Sequence, residues 1–227
     1  MKNATKKEVK QKIEKNRVYS VTDAVTLLTE LRKPKFDETV EVHLHLGIDP
    51  KKGEQQLRGT VSLPHGTGKT KKVIAFVEAD KEADAKAAGA DIIGDQQKIE
   101  EIAVKKVIDF DVAVATPSMM PKLAKIAQIL GPKGLMPNPK TDTVGPNIVK
   151  IITEQKAGKI SFKNDDTANT HLAIGKLSFG KDKLTENLVS CMDAIRRAKP
   201  GSVKGIYILS ASLKTTMSPA IRFTPEA

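Results

Sequence analysis

The middle of the chain alternates between strand-like and helix-like segments, and this pattern constrains the fold more than any other feature. From residue 72 to residue 115, apolar runs typical of strands are separated by helical patterns at residues 83–88 and 99–108. Such alternation is typical of a parallel sheet covered by helices. A further helix is predicted at about residues 122–130, and Pro146 is placed to open another that reaches residue 152.

The segments on either side have a different pattern, and we predict that they fold together. The first half begins with a helix capped by Ser20 and ending before Pro34, and the second half contains a helix at residues 182–197. Strands are predicted at residues 36–47, 56–63, 159–163, 170–177 and 203–209. We therefore expect an α+β outer domain, an antiparallel sheet with helices, formed by residues 1–66 and 159–227. An α/β domain, residues 67–158, is inserted between the two.

The predicted strand at residues 36–47 has two unlike faces. One face carries apolar side chains together with Glu38, and the other carries mostly polar ones. The first face consists of Phe36, Glu38, Val40, Val42, Leu44 and Leu46, and the second of Asp37, Thr39, Glu41, His43 and His45. This period of two predicts a half-buried strand.

The charge of the chain favours a polyanionic partner. Lys and Arg number 38 against 27 Asp and Glu, a net charge of +11. Residues 67–158 carry 14 basic and 12 acidic side chains, whereas the two outer segments carry 24 and 15. Nucleic acid is the commonest such partner, and an anionic membrane surface or an acidic protein would also be attracted. We expect the polyanion to bind mainly to the outer domain.

The chain lacks the residue patterns of the common enzyme classes. Leu63 and Lys71 stand where phosphate-binding loops would need glycine, so we interpret Gly66 and Gly68 as a hinge between domains. The histidines have no partners at metal-ligand spacing, and the single Cys191 falls on the apolar side of a helix. We expect no enzyme activity, no metal and no cofactor. No apolar run is long enough to span a membrane, and no secretory signal precedes the fold, so we expect a cytoplasmic protein.

Two segments could contact RNA. Six Phe, two Tyr and no Trp make base stacking on an aromatic platform improbable, so folded RNA gripped through phosphates and 2′-hydroxyls is the better fit. The cluster Thr215, Thr216, Met217, Ser218 and Pro219 supplies hydroxyls, and its alternative interpretation is a polar loop near a chain end. In residues 130–140, LGPKGLMPNPK, Lys133 and Lys140 could meet phosphates, and the alternative is a structural connector.

Five stretches resemble the bacterial large-subunit ribosomal protein L-one family. They are KFDETVEVHLHLGIDP (35–50), LPHGTGK (63–69), ATPSMM (115–120), LGPKGLMPNPKTDTV (130–144) and TTMSP (215–219). The resemblance implies a hinged protein of the lateral stalk, whose outer domain holds ribosomal RNA and whose inserted Rossmann-like domain binds no dinucleotide. It also implies repression of the protein's own messenger RNA.

The resemblance further implies which residues contact RNA. The contacts centre on Phe36, Thr39, Glu41, Ser210, Thr216 and Met217, with Thr215 and Ser218 in the same cluster and Lys163 and Asp165 beside it. Lys133 and Lys140 are possible secondary phosphate contacts. Three residues depart from the family pattern: Ser218 and Ala168 replace Gly, and Asp166 replaces Lys.

We therefore expect a non-enzymatic protein that binds the ribosomal RNA of the large-subunit stalk and assists release of deacylated tRNA from the exit site. Its other expected partner is its own messenger RNA, and off the ribosome we expect a monomer. Two competing hypotheses are an enzyme that binds a nucleotide through the α/β domain and an architectural protein that binds DNA. The latter would bind duplex DNA and ribosomal RNA with similar affinity at equal salt.

Overall fold

A computed structural model describes residues 13–14, 17–31 and 35–225 of the chain. Residues 32–34, which include the predicted helix stop at Pro34, lie outside the described part. The chain divides into two compact units, one formed by residues 1–68 and 161–227 and the other by residues 69–160. Both helices and sheets are present, and one sheet is parallel, in agreement with the predicted mixture of the two.

The described residues form strands and α-helices, each numbered in the order in which they occur along the chain. The strands are β1 (Thr39–Leu46), β2 (Arg58–Ser62), β3 (Val73–Phe76), β4 (Ile92–Ile93), β5 (Val112–Ala115), β6 (Lys159–Lys163), β7 (Asn169–Lys176), β8 (Ile208–Thr215) and β9 (Ile221–Phe223). The α-helices are α1 (Val21–Glu30), α2 (Glu82–Ala87), α3 (Gln96–Lys105), α4 (Met120–Leu123), α5 (Ala127–Leu130), α6 (Ile148–Lys156) and α7 (Lys181–Arg197).

The first unit is built on a four-stranded antiparallel sheet in the order β7-β1-β8-β9. Strand β1 lies between two strands from the far end of the chain and is bonded to both. Helices α1 and α7 pack against each other and against the apolar face of this sheet. Strands β2 and β6 form a separate two-stranded sheet. Ser20 caps α1 as predicted, accepting a hydrogen bond from Asp23 N at 3.1 Å.

The predicted alternation of β1 is confirmed within the strand but not at its start. Val40, Val42, Leu44 and Leu46 are buried, and their neighbours reach the surface. The strand begins at Thr39 rather than at residue 36. Phe36 lies in a bend before it and is 53% exposed, so the expectation that it shares the apolar face is wrong. Glu38 does follow the alternation and is buried.

The last long strand lies five residues later than the prediction of residues 203–209. Gly205 has a φ of 91°, a left-handed conformation that interrupts an extended chain, so the strand β8 begins only at Ile208. Val203 and Tyr207 belong to the connecting loop, yet their side chains are buried. This burial explains the apolar pattern that suggested a strand there. The short strand β9 was not predicted.

The second unit contains a three-stranded parallel sheet in the order β4-β3-β5. All four residues of β3 are buried, as expected of a central parallel strand. Two predicted helices differ from the structure. Residues 117–130 form four short α and 3₁₀ turns rather than one helix, with Pro117 and Pro121 in the first two. Helix α6 begins at Ile148 after the cap Asn147, and Pro146 precedes it.

Two further sequence expectations concern single residues and membrane insertion. Cys191 lies in the core of α7, where burial raises the pKa of its thiol to about 12 and keeps it protonated. Gly66 and Gly68 both have a left-handed φ, 65° and 72°. Among the described residues, no helix is both long and apolar enough to cross a bilayer.

Asn187 of α7 joins three segments of the first unit. Its side chain is fully buried, accepts a hydrogen bond from His65 N at 3.1 Å and donates to the carbonyls of Gly66 at 3.0 Å and Ile174 at 2.7 Å. The Ile174 carbonyl lies in the core, so losing its partner leaves it unsatisfied, whereas the groups of His65 and Gly66 are only partly buried.

We expect Asn187→Ala to lower the free energy of unfolding by about 2–4 kcal/mol, because it leaves the buried Ile174 carbonyl without a partner, removes two part-buried hydrogen bonds and empties a fully buried site. Urea unfolding followed by circular dichroism measures this change. Lys183→Ala, at an exposed position of the same helix, is the matched control and should change stability by less than about 0.5 kcal/mol. Equal effects of the two variants would contradict the role of Asn187.

Candidate nucleic-acid interface

One face of the antiparallel sheet carries polar and charged side chains that reach the surface. We call this face, opposite the apolar side packed by α1 and α7, the open face. Cross-strand pairing fixes which residues share it. Its members are Thr39, Glu41, His43 and His45 of β1, Asn169, His171, Ala173 and Lys176 of β7, Ser210, Ser212 and Lys214 of β8, and Arg222 of β9.

At one end of the open face, residues from the two halves of the chain are bonded together. Thr39 N donates to Thr216 Oγ1 at 3.3 Å, and Thr216 N donates to the Thr39 carbonyl at 3.2 Å. Lys176 Nζ donates to Thr39 Oγ1 at 3.0 Å. We call Thr39, Thr216 and Lys176 the hydroxyl end. It places two hydroxyls beside a cation, a combination suited to phosphate and 2′-hydroxyl groups.

The turn after β8 fixes the exposed side chain of Met217. Thr215 N donates to Ser218 Oγ at 2.8 Å, and Ser218 N donates back to the Thr215 carbonyl at 3.3 Å. Met217 N lies 3.5 Å from Oε2 of the buried Glu38. Met217 lies within this turn and is 67% exposed.

Thr215 differs from its neighbours in the hydroxyl cluster, because its side chain is buried with 2% exposed. It is the last residue of β8 and points into the core, so its hydroxyl does not reach the surface. The expectation of a direct side-chain contact from Thr215 therefore disagrees with its burial. Ser218 is half-buried and bonded within the turn, while Thr216 is exposed.

Glu41 is the acidic group nearest the centre of the open face. Its Oε2 lies 3.9 Å from Lys214 Nζ and 3.5 Å from His43 Nε2. The carboxylate thus partly offsets the cation of Lys214. Ser210 is exposed opposite His45, toward the other end of the face.

Asp165 organises the turn that leads into β7. Its Oδ1 accepts hydrogen bonds from Asn169 N at 2.7 Å and from Thr167 N at 2.9 Å. The bond from the Asn169 backbone is the main reason that the pKa of Asp165 is lowered to about 2. Its oxygens are occupied by the turn, so its contribution is to shape this edge of the surface. Lys163, two residues earlier at the end of β6, is exposed.

The same turn gives Ala168 a backbone conformation that favours glycine. Ala168 has a φ of 62°, in the left-handed region that glycine adopts without strain. Asp166 is exposed beside it.

Lys133 and Lys140 belong to the second unit, and the open face belongs to the first. Both lysines are exposed, and Lys140 lies in a 3₁₀ turn capped by Asn138. The open face therefore gathers Thr39, Glu41, Ser210 and Thr216 within the first unit, and the two lysines belong to the second.

Sequence reasoning did not select Lys176, Glu38 or Arg222. Arg222 lies on β9, which pairs with β8. Because no strand was predicted there, its place on the open face could not be inferred. Lys176 reaches Thr39 because the register between β1 and β7 shifts between Val40 and Glu41. Such a bulge has no clear signature in the local sequence.

Comparison with known proteins gives one consistent result. Residues 28–219 match the model of the ribosomal protein L1p/L10e family. A protein of Saccharopolyspora erythraea named large ribosomal subunit protein uL1 is 50% identical over 214 residues, which cover 94% of this chain and 90% of the relative. A protein of the same name from Mycobacteroides abscessus is 49% identical over 219 residues, covering 96% and 93%.

We expect Asp165→Asn to destabilise the protein in a pH-dependent way. The pKa of Asp165 is about 2 in the folded chain against about 3.9 when unfolded, so its stabilisation is complete above pH 4 and is lost as the pH falls toward 2. The urea midpoints of wild type and variant should differ from pH 7 to 5 and converge near pH 2. Asp166→Asn is the matched control. A difference that stays constant down to pH 2 would contradict this role of the Asp165 carboxylate.

Proposed function

Because the chain belongs to the ribosomal protein L1p/L10e family, we propose that it binds ribosomal RNA of the large subunit through the open face and its hydroxyl end. It is a ribosomal protein and not an enzyme, and it works on the cytoplasmic ribosome. The observation that carries the proposal is the bonding of Thr39 to Thr216. It joins the two segments that the resemblance assigns to RNA contact.

The chemistry of this surface supports RNA as the ligand. Thr39, Thr216 and Ser210 offer hydroxyls that donate to phosphate oxygens or exchange hydrogen bonds with 2′-hydroxyls. Lys163, Lys176, Lys214 and Arg222 supply positive charge along the same unit. The exposed Phe36 and Met217 can pack on a sugar or a base, and Glu41 accepts hydrogen bonds from RNA.

The two units have different roles in this proposal. Residues 1–66 and 159–227 form the RNA-binding domain, and residues 67–158 form a Rossmann-like domain joined to it through the hinge at Gly66 and Gly68. Strands β3 and β5 are each followed by a 3₁₀ turn that lacks glycine, which argues against a dinucleotide site. Lys133 and Lys140 provide secondary phosphate contacts.

On the ribosome, we place the protein in the mobile lateral stalk, where its movement accompanies release of deacylated tRNA from the exit site. The relatives of Saccharopolyspora erythraea and Mycobacteroides abscessus are named as proteins of the large subunit. The same RNA surface would let the protein, a monomer off the ribosome, bind and repress its own messenger RNA.

We expect Thr216→Ala combined with Met217→Ala to weaken binding to a stalk ribosomal RNA fragment by about 1–3 kcal/mol, because a hydroxyl and an exposed apolar side chain leave the surface. Filter binding measures the change. Val149→Ala combined with Thr153→Ala removes the same two kinds of group from an exposed face of α6 and should have no effect. A loss below about 1 kcal/mol would remove Thr216 and Met217 from the binding core.

Salt dependence separates recognition of folded RNA from mere charge attraction. We expect Lys163→Gln to reduce the slope of log affinity against log salt by about 0.7–0.9, which corresponds to the loss of one phosphate contact. Lys86→Gln, in the second unit, should leave the slope unchanged.

The stalk fragment should bind more tightly than an unrelated hairpin or duplex DNA at equal salt. Equal affinity for all three would support the architectural DNA-binding hypothesis, and retention of ATP or NAD in equilibrium dialysis would support the enzyme hypothesis.

A further inference from the structure

Two histidine rings meet in the middle of the open face, and neither is among the residues named above as candidate RNA contacts. His43 Nδ1 lies 2.7 Å from His171 Nδ1, and the ring centroids are 4.9 Å apart in an edge arrangement. A contact this short between two ring nitrogens requires one hydrogen between them, since two lone pairs would repel.

The outer nitrogens of the pair face carboxylates. His171 Nε2 lies 3.6 Å from Asp165 Oδ2, and His43 Nε2 lies 3.5 Å from Glu41 Oε2. His43 Nε2 makes no hydrogen bond to the residues that the structure describes. Two neutral rings hold two hydrogens, one between the Nδ1 atoms and one on an Nε2, so one Nε2 is left to take up a third hydrogen. That hydrogen would face a carboxylate, and it would give the pair one positive charge.

The surroundings of the pair oppose this charge before RNA binds. The side chain of His171 is 54% exposed, and that of His43 is 26% exposed. Burial lowers the pKa of His43 below its usual value, and the neighbouring His171 and Lys214 lower it further against the opposite effect of Glu41. The other charged or titratable groups around the pair are His45 on β1, Asp165 before β7 and Arg222 on β9.

We propose that the His43–His171 pair takes up one proton when RNA occupies the open face, so that RNA binding strengthens as the pH falls toward the range where imidazole is charged. This inference rests on the proposed function, because the phosphates of the bound RNA are the charges that favour the protonated pair. The phosphates raise its proton affinity, and by linkage the proton raises the affinity for phosphate.

The experiment measures affinity for the stalk RNA fragment between pH 8 and pH 5.5 at constant ionic strength, using full-length chains. We expect the wild type to bind about three to ten times more tightly at pH 5.5 than at pH 8. His171→Gln should show no such gain, whatever its affinity at pH 8. His45→Gln is the matched control on the same strand, because His45 bonds Asn169 rather than a second imidazole, and it should keep the gain.

A second measurement does not depend on any variant folding. Calorimetry of wild-type binding at pH 6.5 in two buffers of different ionisation enthalpy counts the protons taken up, and we expect net uptake. Equal gains in wild type and His171→Gln, or no uptake in the calorimeter, would overturn the inference while leaving RNA binding in place. Failure of the wild type to bind the fragment at any pH would instead overturn the proposed function, and this inference with it.

Discussion

The pairing of β1 with both β7 and β8 is the interaction on which the first unit depends. A strand from the first fifth of the chain completes a sheet whose other members come from the last third. Apolar and polar side chains alternate along β1, so the strand contributes to both sides of that sheet. The side chains that enter the core are Val40, Val42, Leu44 and Leu46, and those on the open face are Thr39, Glu41, His43 and His45. A shift of the register by one residue would exchange the two sets, so the hydrophobic core also fixes the polar surface.

That surface is balanced rather than simply basic. Glu41 lies within reach of both Lys214 and His43, and Asp165 faces His171 while holding its own turn. Carboxylates among cations weaken the attraction to an arbitrary polyanion and leave hydroxyls and shape to discriminate. This fits a protein whose ligand is one folded RNA better than one that coats any nucleic acid.

Sequence patterns identified what depends on local periodicity and missed what depends on long-range geometry. The alternation of β1 and the cap at Ser20 could be predicted because side-chain direction and capping are local. The position of β8 could not, since a left-handed Gly205 and the burial of Tyr207 are set by the fold. The candidate contacts came from the hydroxyl cluster, from the Gly/Pro/Lys segment and from the resemblance. None of these sources indicates that Thr215 is buried, and none includes Lys176, whose position results from a bulge.

The order of the strands along the chain has a consequence for biosynthesis. Residues 69–160 form a unit that is contiguous in the chain, so they can fold once they have left the ribosome, without waiting for the last segment. Strand β1 emerges earlier, yet its partners β7 and β8 are the last long strands to be made. At about 5–20 residues per second it waits roughly 10–30 s for them, with its apolar side uncovered. The nascent chain therefore exposes an aggregation-prone strand during most of its translation, and shielding by chaperones matters most in that interval.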